Sequence, residues 1–259
     1  MSPYLARIDL FPVKSLDGVS VPQVTVLNSG ALECDRTFAL FDQCNCFVNG
    51  KRHAAIHRLR AKFSKGLQSI AIRVDGGGAG QTFHLQTQRP ALNAWLSDYF
   101  QQPVTVQAND TQGFPDDIEA AGPTVISTAT LEAVAAWYPD LTVDEVRRRL
   151  RTNLEIAGVP AFWEDQLFGP SVTPVSFAIG NVVLDGINPC QRCVVPTRDT
   201  LTGAVTPDFQ QVFTRQRQAT LPRWTHRDRF NHFYRLAVNT NIRNQGGKVL
   251  RVGDAVELL

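Results

Sequence analysis

The chain has 259 residues, of which 43% are hydrophobic and 19% are charged, and 26 basic residues against 24 acidic ones leave a net charge of +2. This balance is typical of a globular protein with a substantial core, so it excludes an extended disordered chain. The net charge is too small to indicate nucleic-acid binding, and we expect no nucleic-acid partner.

The compartment follows from the N-terminus and the cysteines. The opening MSPYLARIDLFPVKS has no basic stretch followed by a long apolar one, so it does not resemble a secretory signal. No apolar run approaches the roughly 20 residues of a membrane span. Five cysteines are an odd number, which suits reduced thiols better than a disulfide framework. We expect a cytoplasmic protein without a membrane partner.

The first hundred residues predict mostly strands. Short apolar alternations in YLARIDLFPV and VPQVTVLNSGALECDRTFALFD are broken by turn residues. DGGGAGQ lies between two strand-like segments and lacks the Gly-Lys-Ser/Thr ending of a phosphate loop, so it predicts a hairpin turn. KRHAAIHRLR predicts an exposed basic segment, and PALNAWLSDYF a short helix. Residues 109–124, rich in Gly, Pro and Asp, are the best candidate for a domain boundary.

The second half opens with two predicted helices. Ser127 is a candidate N-cap for a helix to about Trp137, and Thr142 with Glu145 forms a capping-box pattern for the next helix. The arginine run 147–149 predicts an exposed helix face. NLEIAGV, PVSFAIGNVVLDGIN, FYRLAVNTNI and KVLRVGDAVELL predict strands, so the fold class is mainly β with a few helices (α+β).

The stretch NPCQRCVVPTRDTLTG, residues 188–203, concentrates candidate chemistry. Structural zinc needs four ligands, and the other close pair, Cys44 and Cys46, is spaced by one residue only. A redox dithiol needs a helix after the pair, which VVPTRD does not predict. Two buried structural cysteines, or one thiolate that binds a soft transition metal, remain open.

Five segments in order resemble the MOSC proteins, which bind the molybdenum cofactor. LFPVKSLDGV is similar to the family's YPVKS opening, LECDRTFALFD to its DR strand, and LRTNLEIAG to its FRPNIVI segment. NPCQRCVVPTRDTLTG is similar to the CxRC loop, and VLRVGDAVEL to the closing strand. The resemblance implies a MOSC N-terminal β-barrel-like domain over residues 1–110 and a MOSC β-barrel domain over residues 111–259.

The resemblance also implies a site. Cys193, the second cysteine of CxRC, would ligate molybdenum together with the pterin dithiolene, while Cys190 would support the loop. The other residues that it implies for the cofactor are Lys14, Ser15, Arg36, Ser127, Thr128, Arg151, Asn153 and Arg192. Capping of the following helix is the alternative role of Ser127, and Arg192 is expected to favour the thiolate. Asp199, close behind the loop, is a candidate for proton handling.

The resemblance to the mitochondrial amidoxime-reducing component and to bacterial reductases of N-hydroxylated bases implies an oxidoreductase. Its substrate would be a small N-hydroxylated molecule. The chain lacks the clustered cysteines of a [2Fe-2S] domain, so electrons are expected from an external ferredoxin- or cytochrome b5-like protein. The alternative is a carrier of the cofactor or of sulfur without turnover. The sulfurases join this domain to a pyridoxal-phosphate desulfurase, for which 259 residues leave no room.

Overall fold

The computed structural model describes residues 2–259. The strands in this range are β1 (Tyr4–Leu10), β2 (Val19–Val21), β3 (Gln23–Thr25), β4 (Phe38–Asp42), β5 (Leu59–Phe63), β6 (Ser69–Val74), β7 (Gln81–His84), β8 (Val104–Ala108), β9 (Val125–Ser127), β10 (Leu154–Ala157), β11 (Val175–Ile179), β12 (Val182–Gln191), β13 (Arg235–Asn241), β14 (Val249–Arg251) and β15 (Val256–Leu258). The α-helices are α1 (Arg89–Phe100), α2 (Thr128–Ala135), α3 (Val143–Leu150) and α4 (Phe209–Ala219). Short 3₁₀ helices cover Ala54–Arg58, Trp163–Gln166, Val195–Thr197 and Arg227–Arg229. The predicted class, mainly β with a few helices, is confirmed.

The largest element is an eight-stranded sheet in the order β15-β11-β12-β13-β9-β10-β1-β2. All its neighbours are antiparallel except β9 and β10, which are parallel. Apolar side chains such as Ile8, Leu154, Phe177 and Val238 form its core and are fully buried. This sheet carries β12, the strand that leads into the cysteine loop.

A second apolar core lies within the first half of the chain. It is enclosed by the β4-β8 pair, the β5-β6-β7 sheet and helix α1, which contributes Leu92 and Leu96. The glycine-rich segment joins β6 to β7, which pair antiparallel from Ser69 opposite His84 to Ile72 opposite Gln81. The predicted hairpin is therefore confirmed.

Helices α2 and α3 begin at the predicted caps. Ser127 Oγ accepts a hydrogen bond from the Thr130 backbone N–H at 3.1 Å, and Thr142 Oγ1 accepts one from Glu145 at 3.2 Å. The other half of the capping box is not formed, because the Glu145 carboxylate binds Arg148, Arg149 and Thr200 instead.

The two halves of the chain are interleaved. Strand β1, near the N-terminus, pairs with β10, and β2 lies at the edge of the same eight-stranded sheet. Residues 109–124 pack into this assembly: Phe114 N–H donates to Arg36 O, and Gly122 N–H donates to Thr240 O, both at 2.9 Å. The division at residues 110 and 111 stays a prediction.

Among the described helices, none combines the length and apolar character that would let it cross a bilayer.

Candidate functional site

A cavity of about 1410 Å³ opens between the eight-stranded sheet and the first half of the chain. Pockets for single small molecules usually have about 300–1,000 Å³. Seven of the predicted site residues line it: Lys14, Ser15, Arg36, Arg151, Asn153, Arg192 and Cys193. The cavity has room for a large ligand and a second, smaller one.

The cysteine loop forms one wall of this cavity. Cys190 and Cys193 both line it, are partly exposed, and carry free thiols. Cys193 Sγ accepts a hydrogen bond from the Val195 backbone N–H at 3.4 Å. Cys190 packs against the apolar core formed with α2 and α4. Cys193 is thus the thiol that is free of core packing, which suits a ligand for a bound group.

Arg192 interacts with the first cysteine rather than the second. Its Nη1 donates to Cys190 Sγ at 3.3 Å, and its Nη2 donates to the Leu150 carbonyl. The expectation that Arg192 acts on the Cys193 thiolate is therefore corrected: its bond goes to Cys190, because its guanidinium turns back toward the end of α3. Arg192 itself still lines the cavity.

Neither two-thiol alternative matches the geometry. Within residues 2–259, no three His, Cys, Asp or Glu side chains are grouped closely enough to hold a metal ion. The cysteine pair is followed by a three-residue 3₁₀ turn, Val195–Thr197, and not by an α-helix whose dipole would activate a dithiol.

Three cations face the cavity from separate segments. Lys14 is 6% exposed, and its Nζ donates to Phe114 O at 2.9 Å and to Asp116 Oδ1 at 3.0 Å. Arg36 pairs with Asp35, and its Nη1 lies 3.3 Å from Asn153 Oδ1. Arg151 donates to Leu16 O at 2.7 Å and forms no ion pair among the described residues. The burial of Lys14 shows that its charge is not a solvated loop charge.

Burial disfavours the charged forms of two of these cations. Burial lowers the pKa of Arg151 to about 10, and the neighbouring charge of Arg36 acts in the same direction. Burial likewise lowers the pKa of Lys14, although Asp116 partly offsets it. An anion bound here would stabilise both charged forms.

Three of the predicted cofactor residues adopt an uncommon backbone conformation. Ser15, Arg36 and Arg151 have φ values of 72°, 50° and 54°. Arg151 adopts this conformation as the C-cap of α3, where its N–H donates to Arg147 O. Ser15 and Arg36 are not helix caps, and positive φ is uncommon for non-glycine residues at such positions.

Both halves of the sequence match family models. The model described as the MOSC N-terminal beta barrel domain matches residues 2–141, and the MOSC domain model matches residues 121–257. The chain belongs to the MOSC family. MOSC domains are associated with binding of the molybdenum cofactor.

Solved structures show weaker likeness to this MOSC chain. The YUAD protein from Bacillus subtilis is 10% identical with a TM-score of 0.40, and the match covers 99% of this chain and 95% of that one. YiiM from Geobacillus stearothermophilus is 11% identical with a TM-score of 0.34, over 53% of this chain and 54% of that one. None of the curated proteins matches the sequence.

The residues present fit a molybdenum cofactor. The same cavity is lined by the soft thiol of Cys193 and by the cations of Lys14, Arg36 and Arg151, which suits a thiolate-bound metal and a phosphate on one ligand. Three buried guanidinium Nε atoms on its wall, of Arg60, Arg192 and Arg198, have no hydrogen-bond partner within residues 2–259. A polar ligand can satisfy such donors.

Ser127 and Thr128 lie outside the cavity wall of this MOSC chain. Ser127 is fully buried and caps α2, so the structure supports its alternative role. Thr128 Oγ1 donates to Glu155 Oε1 at 2.9 Å, and Glu155 in turn binds Arg147. Thr128 is connected to the cavity only through Glu155 and Arg147, of which Arg147 lines it.

Asp199 also lies outside the cavity wall. Its Oδ1 accepts hydrogen bonds from the backbone of Leu201 and Thr202 and from the Thr202 hydroxyl. Burial alone would raise the pKa of Asp199, but these hydrogen bonds outweigh burial and lower it. A carboxylate held ionised in a turn is poorly placed to donate a proton, so its location gives no support to a role in proton handling.

The arginine run 147–149 is not an exposed face, and this expectation is wrong. Arg149 is 3% exposed and pairs with Glu145 at 2.8 Å, and Arg147 pairs with the buried Glu155 at 2.7 Å. All three arginines line the cavity, and only Arg148 is largely exposed. A run of like charges resembles a solvated face in sequence, whereas here buried carboxylates balance it.

His57 and Arg60 are cavity residues that sequence reasoning missed. His57 is partly buried, and its Nε2 lies 3.4 Å from Gly50 O. Burial lowers its pKa, and nearby arginines act in the same direction. KRHAAIHRLR is therefore only partly an exposed segment, because Ile56 anchors it in the core. No motif in the sequence singles out His57.

Proposed function

We propose that this protein is a molybdenum cofactor-dependent oxidoreductase that reduces small N-hydroxylated substrates. In the net reaction the N–O bond breaks, two electrons and two protons are consumed, and the oxygen leaves as water. The bound cofactor would supply two-electron chemistry at its metal. The observation that carries the proposal is the single cavity that joins Cys193 to the cations of Lys14, Arg36 and Arg151.

Each of the residues that line the cavity would have a distinct role in holding the cofactor. Cys193 would hold the metal through its thiolate, which the Val195 N–H stabilises. Arg36 and Arg151 would bind the cofactor phosphate, since an arginine fork donates two parallel hydrogen bonds to such oxygens. Asn153 would position Arg36, because its Oδ1 lies between Arg36 and Thr124.

The cavity also offers a candidate residue for proton transfer. His57 is a better candidate than Asp199, because it lines the cavity and an imidazole can take up and release protons near neutral pH. The electrons would come from a separate ferredoxin- or cytochrome b5-like protein, and the protein would act in the cytoplasm.

Metal analysis tests the cofactor. Protein from a molybdenum-replete host is expected to contain about one molybdenum per chain. Cys193→Ser should lose it, whereas the matched variant Cys190→Ser should retain it. Zinc without molybdenum would contradict the proposal, and loss in Cys190→Ser alone would reverse the assignment of the two cysteines.

Turnover tests the reaction. Molybdenum-loaded protein, reduced chemically under anaerobic conditions, is expected to convert benzamidoxime into benzamidine, followed by chromatography. The Cys193→Ser protein is the negative control. Full molybdenum loading without turnover of benzamidoxime or other hydroxylamine analogues would favour a carrier of the cofactor or of sulfur.

A further inference from the structure

Two arginines outside the predicted cofactor set line the cavity beside the cysteine loop. Arg229 ends a 3₁₀ turn, and Arg235 begins β13. Arg229 Nη2 donates to Ile187 O at 2.9 Å, and Arg235 Nη1 donates to Pro189 O at 3.0 Å. Both guanidinium groups are therefore fixed to β12, the strand that carries Cys190 and leads to Cys193.

The carbonyl groups that accept these hydrogen bonds place both guanidinium groups near the end of β12. Ile187 and Pro189 are two residues apart on β12, about 7 Å along an extended strand. Cys190 directly follows Pro189 in the chain. The two guanidinium groups thus form a pair along the end of β12, next to the cysteine loop.

The positive charge of this pair is not neutralised by a directly bonded carboxylate. Across residues 2–259, neither arginine forms an ion pair, although Arg36, Arg147 and Arg149 on the same cavity wall each do. The second partner of Arg235 is the neutral amide oxygen of Asn231, at 3.2 and 3.0 Å. Asp228 also lines the cavity and its charge partly offsets the effect of burial on Arg229, but its side chain is exposed and forms no ion pair with Arg229.

Donor groups remain free on both side chains. A guanidinium has five N–H donors. Arg229 uses two of them, toward Gly169 O and Ile187 O, and Arg235 directs three toward Pro189 and Asn231. Burial lowers the pKa of both arginines, which an anion would reverse.

We propose that Arg229 and Arg235 form a subsite for a carboxylate on the substrate. This inference rests on the proposed function, since it assigns the substrate class of the same cavity: an N-hydroxylated molecule with a carboxylate remote from the N–OH group. The planar fork of arginine matches a carboxylate. The cations of Lys14, Arg36 and Arg151 lie on other segments and are left for the cofactor.

Kinetics test the subsite directly. The molybdenum-loaded enzyme is expected to show a lower KM for 4-carboxybenzamidoxime than for benzamidoxime. Arg229→Gln and Arg235→Gln should each reduce that preference about tenfold, the effect of losing one charge-assisted hydrogen bond. Arg235→Lys should restore part of the preference for the carboxylated substrate.

The matched control is Arg215→Gln, at an exposed arginine on α4, which should leave the preference unchanged. No preference in the wild type, or one unaffected by both glutamine variants, would overturn the subsite.

A binding measurement separates this inference from the proposed function. Calorimetric titration with 4-carboxybenzamidine, compared with benzamidine, should show tighter binding of the carboxylated ligand that is lost in the two glutamine variants. That result would support the subsite even if no amidoxime is reduced. Equal binding of both ligands would contradict it, and so would tighter binding of 4-phosphonobenzamidine, which would indicate a phosphate site.

The variants also have their own folding and loading controls. Circular dichroism and molybdenum content of both glutamine variants should match the wild type. Loss of molybdenum from a folded variant would show that these arginines hold the cofactor, which would overturn the carboxylate assignment.

Discussion

At the scale of single residues, the arginines of the site differ in whether a carboxylate neutralises their charge. Arg149 and Arg151 are two positions apart, yet Arg149 pairs with Glu145 while Arg151 has only carbonyl and aromatic partners. The guanidinium of Arg151 lies 4.1 Å from the ring centre of Phe11. Both arginines line the cavity, and burial without an ion-pair partner lowers the pKa of Arg151 to about 10.

Glu164 provides a residue-scale prediction. It is fully buried behind β9, where Thr130 Oγ1 donates to its Oε2 at 3.0 Å and its Oε1 has no partner among the described residues. Burial, together with the neighbouring Asp165, raises its pKa from 4.5 to about 7. The folded state therefore favours the protonated form, and this stabilisation is complete below pH 4.5 and lost as pH rises through about 7.

The expected size is about 3 kcal/mol, at about 1.4 kcal/mol per pKa unit. Denaturant unfolding at pH 5 and pH 8 should show that the free energy of unfolding falls more steeply in the wild type than in Glu164→Gln, which stays neutral. Equal pH dependence in the two proteins would show that Glu164 does not titrate in this range.

At the scale of elements, β12 is the part on which the site depends. It pairs with β11 and β13, ends at the cysteine loop, and anchors Arg229 and Arg235 through its carbonyls. Its pairing with β13 is irregular between Gly186 and Asn188 and again between Pro189 and Gln191. Such bulges redirect side chains, and here they lie where the strand meets the cavity.

Gly186 makes that geometry testable. A Cβ atom at this position would lie 1.7 Å from the Leu167 carbonyl oxygen, a clash with backbone. Gly186→Ala should therefore lower the free energy of unfolding by about 3 kcal/mol or more, measured by denaturant titration. Gly78→Ala is the matched control, since nothing lies within 4 Å of its Cβ, and it should change stability by less than about 0.5 kcal/mol. Equal effects of the two substitutions would contradict the close contact.

At the scale of the whole molecule, the cavity exists because the two halves of the chain interleave. Strands β1 and β2 belong to the eight-stranded sheet, whereas β4 to β8 form the core of the first half. Lys14, between these parts, binds Phe114 O and Asp116, about a hundred residues away in sequence. The cofactor candidates thus meet at a boundary that neither half forms alone.

Interleaving predicts a single unfolding transition, even though chains of this size often unfold in steps. Trp95 packs in the core of the first half and Trp163 against that of the large sheet. Single-tryptophan variants that retain one or the other should report the same denaturant midpoint. Two separated midpoints would show that the halves unfold independently.

Much of the fold could be predicted from local pattern. The hairpin at DGGGAGQ, the caps at Ser127 and Thr142, and the mainly β class all follow from turn residues and short apolar alternations. These signals act over a few residues, so the sequence alone is enough to read them. The capping-box carboxylate of Glu145 could not be assigned, because distant Thr200 competes for it.

The sequence by itself determined the fold class, the family resemblance and seven side chains that line one cavity. Only the tertiary structure decided that Arg147 is balanced by Glu155, which comes from β10, whereas the pair of Arg149 with Glu145 follows from helical spacing on α3. It also decided that Arg192 binds Cys190, that Asp199 serves a turn, and that Arg229 and Arg235 meet on β12. Charge balance between segments depends on distance in space, which spacing along a chain does not encode.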